Sequence, residues 1–170
     1  RFINLFITFT QMKKKLSVVL PTYNEAENIQ KVLEELISVL KALPYEWEIL
    51  IVDNASKDST KQKVAPFLKR YKNVKAIFHP RNLGYGASTK TGLHAAKGDI
   101  IIVMDSDGQH TAKDIPKFIS NINSGYGLAV GWKKNRQDPF LRILLSNVYN
   151  MLFRMIFGIN EFNNIMFASY

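Results

Sequence analysis

The chain has 170 residues, 46% of them hydrophobic, so it can bury one substantial core and reads as one main domain. The absence of cysteine excludes a disulfide framework and any thiolate metal site, leaving oxygen or histidine as metal ligands. A net charge of +9, from 23 Lys+Arg against 14 Asp+Glu, points to a polyanion, an anionic membrane face or a phosphorylated ligand, and does not choose among them.

Residues 1–11 are apolar yet too short to cross a bilayer, and no small-residue cleavage site follows them. Met12 before Lys13-Lys14-Lys15 predicts a natural start there, and residues 1–15 read as an extension to the domain. Residues 16–20 form a first strand ended by Pro21, after which Asn24 is expected to cap a helix with Glu27 reaching back. Ile29, Val32, Leu33, Leu36, Ile37 and Leu40 follow at helical spacing and predict a core-facing helix. Residues 48–52 predict a second strand that delivers Asp53, and Val64, Phe67, Leu68 and Tyr71 mark the next helix. Residues 74–78 predict a third strand, and Gly84-Tyr85-Gly86-Ala87-Ser88 opens a small-residue helix that Gly98 should stop. Residues 100–104, Ile-Ile-Ile-Val-Met, read as a buried parallel strand. Asp114-Ile115-Pro116 starts a helix with Ile115, Phe118, Ile119 and Ile122 as its buried stripe, and residues 128–131 predict one more strand. The alternation of strand and helix from Leu16 to Gly131 means a mostly parallel α/β sheet flanked by helices.

Beyond residue 138 the pattern changes. Residues 139–158 are dominated by Leu, Ile, Met and Phe, with Arg142, Ser146, Asn147, Asn150 and Arg154 interspersed. Such a segment suits an amphipathic helix at a membrane interface, its arginines at headgroup level, and equally a core helix packed on the sheet. The domain is therefore expected over residues 16–138, followed by an apolar segment over 139–170. The uncapped apolar ending, Ile165-Met166-Phe167-Ala168-Ser169-Tyr170, predicts that the natural protein continues.

Chemistry concentrates where strands end. Asp105 and Asp107 emerge from the 100–104 strand at the carboxyl edge, where open α/β sheets bind ligands. Two carboxylates two residues apart repel one another unless a cation or proton sits between them, which suggests a metal that also holds a phosphate. Pro21-Thr22-Tyr23-Asn24-Glu25 and Asp53-Asn54-Ala55-Ser56-Lys57-Asp58 follow the first two strands in the same way. Each segment alone has a turn or cap explanation; three recurrences on one rim favour a site. Gly84-Tyr85-Gly86 lacks a third glycine and does not follow the first strand, so a dinucleotide loop is not expected. Lys133, Lys134, Arg136, Arg142 and Arg154 read as a platform for lipid phosphate, with a solvated basic face as the plainer reading. They are not interleaved with a stacking surface, so nucleic acid is not an expected partner. His110 beside the paired acids reads as a solvent-facing loop histidine, with a further metal ligand as the alternative, and His79 and His94 carry no signal.

Four segments taken together, Val18-Val19-Leu20-Pro21-Thr22-Tyr23-Asn24-Glu25, Ile51-Val52-Asp53-Asn54-Ala55-Ser56-Lys57-Asp58-Ser59-Thr60, Arg81-Asn82-Leu83-Gly84-Tyr85-Gly86-Ala87 and Met104-Asp105-Ser106-Asp107-Gly108-Gln109-His110, resemble the family-2 glycosyltransferases of GT-A fold. Gly131-Trp132-Lys133-Lys134, then Arg142, Ser146 and Tyr149-Asn150, are similar to the phosphate-binding segment of the dolichyl-phosphate mannose synthase and polyprenyl-phosphate glycosyltransferase branch. The resemblance implies that Pro21, Tyr23, Glu25 and Asp53, with Ser106 and Lys133, bind the nucleotide-sugar donor, and that Asp105, Asp107 and Gln109 hold Mg2+ or Mn2+. It implies that Arg142 binds phosphate and that Ser146 supports the acceptor phosphate, with Asp105, Asp107 and Arg142 as the catalytic set. Lys133 stands where the family often has arginine, Asn54-Ala55 replace a common acidic-glycine pair, and Ser106 replaces a common alanine. The implied reaction is inverting, metal-dependent transfer of a sugar from GDP-mannose or a UDP-hexose to polyprenyl or dolichyl phosphate at the cytoplasmic face of a membrane. The alternatives are transfer to a glycan hydroxyl, which needs a carboxylate base, and a non-catalytic nucleotide-sugar or membrane-binding module.

Overall fold

The computed structural model describes residues 14–129 and 131. Four strands, β1 (Lys15–Thr22), β2 (Glu46–Asp53), β3 (Val74–Phe78) and β4 (Ile100–Val103), alternate with helices α1 (Ile29–Ala42), α2 (Thr60–Arg70) and α3 (Tyr85–Ala95). A 3-10 turn, Ala112–Asp114, leads into α4 (Ile115–Asn123). The strands form one parallel sheet in the order β3-β2-β1-β4. Chain segments divide into two compact units between Pro116 and Lys117, and the sheet belongs wholly to the first.

From β1 the chain steps outward to β2 and β3, then returns to the other side of β1 as β4. Right-handed crossovers therefore put α1 and α2 on one face and α3 on the other. Val19, Leu50 and Val52 make the core under α3, with Ala95 and Ala96 packed against them. Gly92 permits this close approach, because a Cβ there would lie 2.2 Å from Val19 Cγ1. On the opposite face Val18, Leu20, Ile49 and Ile51 are fully buried. The six-residue stripe expected of α1 is buried throughout.

Several expectations are corrected. Pro21 does not end β1: it lies within the strand, opposite Val52. Val19 and Pro21 direct their carbonyls toward β4, which has already ended beside Pro21, so the missing N–H breaks no ladder bond. Asn24 does not cap α1, which begins at Ile29; it adopts φ 55 and bonds to the Ser56-Lys57 turn instead. Gly98 is not the stop of α3, whose C-cap is Ala96; it sits where a Cβ would come within 2.6 Å of Ser17 N. The strand after it is not fully buried, since Ile101 is 40% and Val103 39% exposed. No strand is assigned at Leu128, Ala129 or Gly131. Lys133, Arg142, Ser146 and the 139–158 segment lie outside the described residues.

The sheet is pinned at its amino-terminal edge by Glu48, which is 1% exposed. Its Oε1 accepts hydrogen bonds from Ser17 Oγ at 2.8 Å and Lys97 N at 2.9 Å. Its Oε2 meets Lys75 Nζ at 3.0 Å and Lys15 Nζ at 3.2 Å. Burial raises the carboxyl's pKa, but the donors from Ser17, Lys75, Lys97 and Lys15 prevail and lower it from 4.5 to about 2.

Candidate functional site

The opposite, carboxyl-terminal edge carries the three segments singled out by sequence. Thr22 pairs with Asp53, and Asn54 N donates to Thr22 O at 2.8 Å, so the first two segments leave the sheet side by side. The third is level with them, because Met104 N donates to Val19 O and the buried Ser106 hydroxyl donates to Pro21 O at 3.0 Å. The Asp53 and Asp105 backbones thus flank the end of β1 from either side, two strand spacings or roughly 10 Å apart. The junction of β1 and β4 is also where the strand order reverses, the usual position of a ligand crevice in such sheets.

Asp53 is 5% exposed. Its Oδ2 accepts from Ser56 N at 3.3 Å, while its buried Oδ1 has no hydrogen-bond partner among the described residues. A buried carboxylate oxygen without a donor is costly, which marks this atom as a candidate contact for a ligand donor. Around it the loops interlock. Thr60 Oγ1 accepts from Glu25 N at 2.9 Å, and Asp58 accepts from Ala26 N and Thr60 N, each at 3.0 Å. Burial opposes ionisation of Asp58, but the Thr60 hydroxyl and these amides hold its carboxyl below the usual range. Tyr23 is exposed on the rim, and Glu25 Oε2 accepts from Asn28 Nδ2 at 2.9 Å. The two non-glycine residues with positive φ among those described, Asn24 (φ 55) and Ala55 (φ 62), both lie in these loops. The glycine common in the resembled family at the second position has its physical reason here.

The Asp105–Gln109 segment is tied down at both ends. Ser106 holds its start to Pro21, and past Gln109 the side chain of Glu35 on α1 accepts from Thr111 Oγ1 at 2.7 Å and Ala112 N at 3.1 Å. Asp105 Oδ1 accepts from the Tyr85 hydroxyl at 2.8 Å, and its Oδ2 lies 3.5 Å from His110 Nε2. Burial and the neighbouring Asp105 carboxylate both push the Tyr85 phenol up, so it keeps its proton and stays a donor. Asp107 Oδ1 accepts from Gln109 N at 2.9 Å, a local turn that fixes the second acid.

Among the described residues no three His, Cys, Asp or Glu side chains converge to cage a metal. Asp105 and Asp107 offer hard carboxylate oxygens, a donor set that suits Mg2+ or Mn2+ completed by water and substrate phosphate oxygens. The residues present therefore fit the implied ion. Sequence reasoning assigned no role to Tyr85, Glu35, Asn82 or Thr60. Thr60, Asn82 and Tyr85 had a signal, since Thr60 ends the Ile51–Thr60 segment and the other two fall within the Arg81–Ala87 segment; Glu35 had none. His110, read as a loop histidine, contacts Asp105.

The family model described as Glycosyl transferase family 2 matches residues 17–170. The undecaprenyl-phosphate 4-deoxy-4-formamido-L-arabinose transferase of Photorhabdus laumondii is 32% identical over 147 residues, covering 86% of this chain and 45% of that protein. The chain thus spans under half the length of that curated relative. A mannosyltransferase of Pyrobaculum calidifontis, solved in complex with GDP-Man and Mn2+, aligns at 26% identity and a TM-score of 0.51 over 57% of this chain and 28% of the other. Glucosyl-3-phosphoglycerate synthase of Mycobacterium tuberculosis shares the fold, with a TM-score of 0.59 at 21% identity over 82% of this chain and 52% of that one. The expected fold class, a parallel GT-A sheet flanked by helices, is borne out by the four strands and by this likeness.

Proposed function

The chain belongs to glycosyl transferase family 2, and on that premise we propose that it moves one sugar from a nucleotide-sugar to a polyprenyl or dolichyl phosphate. The observation that carries the reading is the buried Oδ1 of Asp53, without a hydrogen-bond partner among the described residues, on the same rim as Asp105 and Asp107. A ribose hydroxyl or base N–H satisfies the first, and the paired acids face the diphosphate end. Pro21, Tyr23, Glu25 and Ser106 complete the donor's surroundings on this proposal. The Photorhabdus relative is named for an undecaprenyl-phosphate acceptor, which supports the acceptor class; the Pyrobaculum structure holds GDP-Man with Mn2+ and an S. aureus TarS structure holds UDP-GlcNAc, so both GDP-mannose and a UDP-hexose are supported as donors.

In the proposed reaction an oxygen of the acceptor phosphate forms the new bond at the anomeric carbon from the face opposite the leaving group. The bond to the diphosphate breaks, its electron pair departs with the nucleoside diphosphate, and the configuration inverts. The acceptor arrives ionised, so no base must remove a proton from it. Asp105, Asp107 and Gln109 would hold Mg2+ or Mn2+, which when bound would supply positive charge against the departing diphosphate. Lys133, Arg142 and Ser146 enter on sequence pattern alone: the first two as cations for phosphate, Lys133 without the bidentate grip of arginine, and Ser146 as a donor to the acceptor phosphate. A lipid acceptor implies work at a membrane surface, and the sequence resemblance implies its cytoplasmic face. No helix among the described residues is long and apolar enough to cross a membrane.

The contact between His110 and Asp105 favours one second reading, transfer to a glycan hydroxyl, because that acceptor needs a base. Incubating the protein with labelled nucleotide-sugars, Mn2+ and a short polyprenyl phosphate tests both. Label in an organic-soluble, acid-labile product supports the lipid-phosphate reading; label only in added glycan replaces it with the second.

A further inference from the structure

One series of hydrogen bonds runs between the two halves of the rim without passing through the sheet. Asn54, next to Asp53, is 4% exposed. Its Oδ1 accepts from Leu83 N at 2.9 Å, and its Nδ2 donates to Asn82 Oδ1 at 2.9 Å. Asn82 Oδ1 also accepts from Gly84 N at 2.9 Å. The backbone acceptance from Leu83 identifies the Asn54 atom as oxygen, so His79, 3.1 Å away, presents Nδ1–H to it. Gly84 then turns the chain at φ +86, a conformation that a side chain would strain, and α3 starts at once with Tyr85. The Tyr85 hydroxyl closes the series on Asp105 Oδ1 at 2.8 Å.

A carboxylate in a loop after a strand is otherwise free to rotate about two torsions. Here one oxygen is bonded to a phenol whose own backbone is braced to the end of β2 through Asn54, Asn82 and Gly84, and the other lies 3.5 Å from His110 Nε2. We infer that Tyr85 is a positioning residue: through its hydroxyl it holds the Asp105 carboxylate in the orientation that receives the cation and the donor's diphosphate. The inference rests on the function proposed above. Tyr85 is about half exposed, at 46%, so removing its hydroxyl leaves the core intact.

The test is Tyr85→Phe, with Mn2+ affinity measured by paramagnetic resonance in the presence of GDP and, separately, UDP. Partners that orient a metal ligand typically matter by 10–100-fold, and about a tenfold loss of Mn2+ affinity is expected here because the carboxylate itself remains. Nucleotide affinity without metal and the melting temperature should both stay at wild-type values. The Mn2+ concentration for half-maximal transfer should rise by the same factor as the binding constant. Equal Mn2+ affinity in wild type and Tyr85→Phe overturns the positioning role and leaves the proposed function standing. Failure of the wild type to bind Mn2+ with either nucleotide overturns the proposed function, and the inference with it.

Discussion

Replacing Glu48 by Gln should destabilise the protein strongly and in a pH-dependent way. The carboxylate is buried, and four donors from two neighbouring strands and a loop converge on it. A glutamine amide there would keep an oxygen for Ser17 and Lys97 but turn an N–H2 toward two ammonium groups, leaving them without an acceptor. The carboxyl's pKa falls from 4.5 to about 2 on folding, equivalent to roughly 3 kcal/mol of stabilisation at neutral pH. A group lowered on folding stabilises fully above its unfolded pKa, and that contribution drains away as pH falls from about 4.5 toward about 2. Urea unfolding of wild type and Glu48→Gln should therefore differ by roughly 3 kcal/mol at pH 7 and by about half that at pH 3. A difference under about 1 kcal/mol at pH 7, or one that does not change with pH, would refute this account of the network.

Gly92→Ala should cost about 1–3 kcal/mol in denaturant unfolding, since the new methyl must displace Val19 under α3; an unchanged midpoint would mean that the helix shifts freely. Ala55→Gly should stabilise by up to about 1 kcal/mol, because φ 62 is strained for alanine, and a lower melting temperature would contradict that. Arg142→Ala should raise the KM for polyprenyl phosphate at least about tenfold with the donor KM little changed, as expected when a charged phosphate contact is lost. Unchanged acceptor kinetics would remove Arg142 from the acceptor site.

How far the sequence could be read depended on whether the information was local. The α1 stripe from Ile29 to Leu40 and the runs that became β1, β2 and β3 are periodic signals, and the strand-end segments with Asp53, Asp105 and Asp107 follow from them. What escaped was set by register and by distant partners. Pro21 is tolerated inside β1 only because β4 stops short of it, and Asn24 becomes a turn residue only because Ser56 and Lys57 meet it from another loop. Glu48 looks like an ordinary strand residue until Ser17, Lys75 and Lys97 arrive around it. Tyr85 stands twenty residues before Asp105, and no spacing rule joins a helix start to the end of the next strand.

On the proposed function the acids at the end of β4 are needed to transfer the sugar and are not needed to fold the chain. Among the described residues Asp107 accepts one local backbone hydrogen bond, from Gln109 N, so Asp107→Ala should leave the unfolding midpoint nearly unchanged. Measured with Mn2+, a nucleotide-sugar and polyprenyl phosphate, its transfer rate should fall by at least about a hundredfold. A fully folded Asp107→Ala protein that transfers sugar at the wild-type rate would contradict the account.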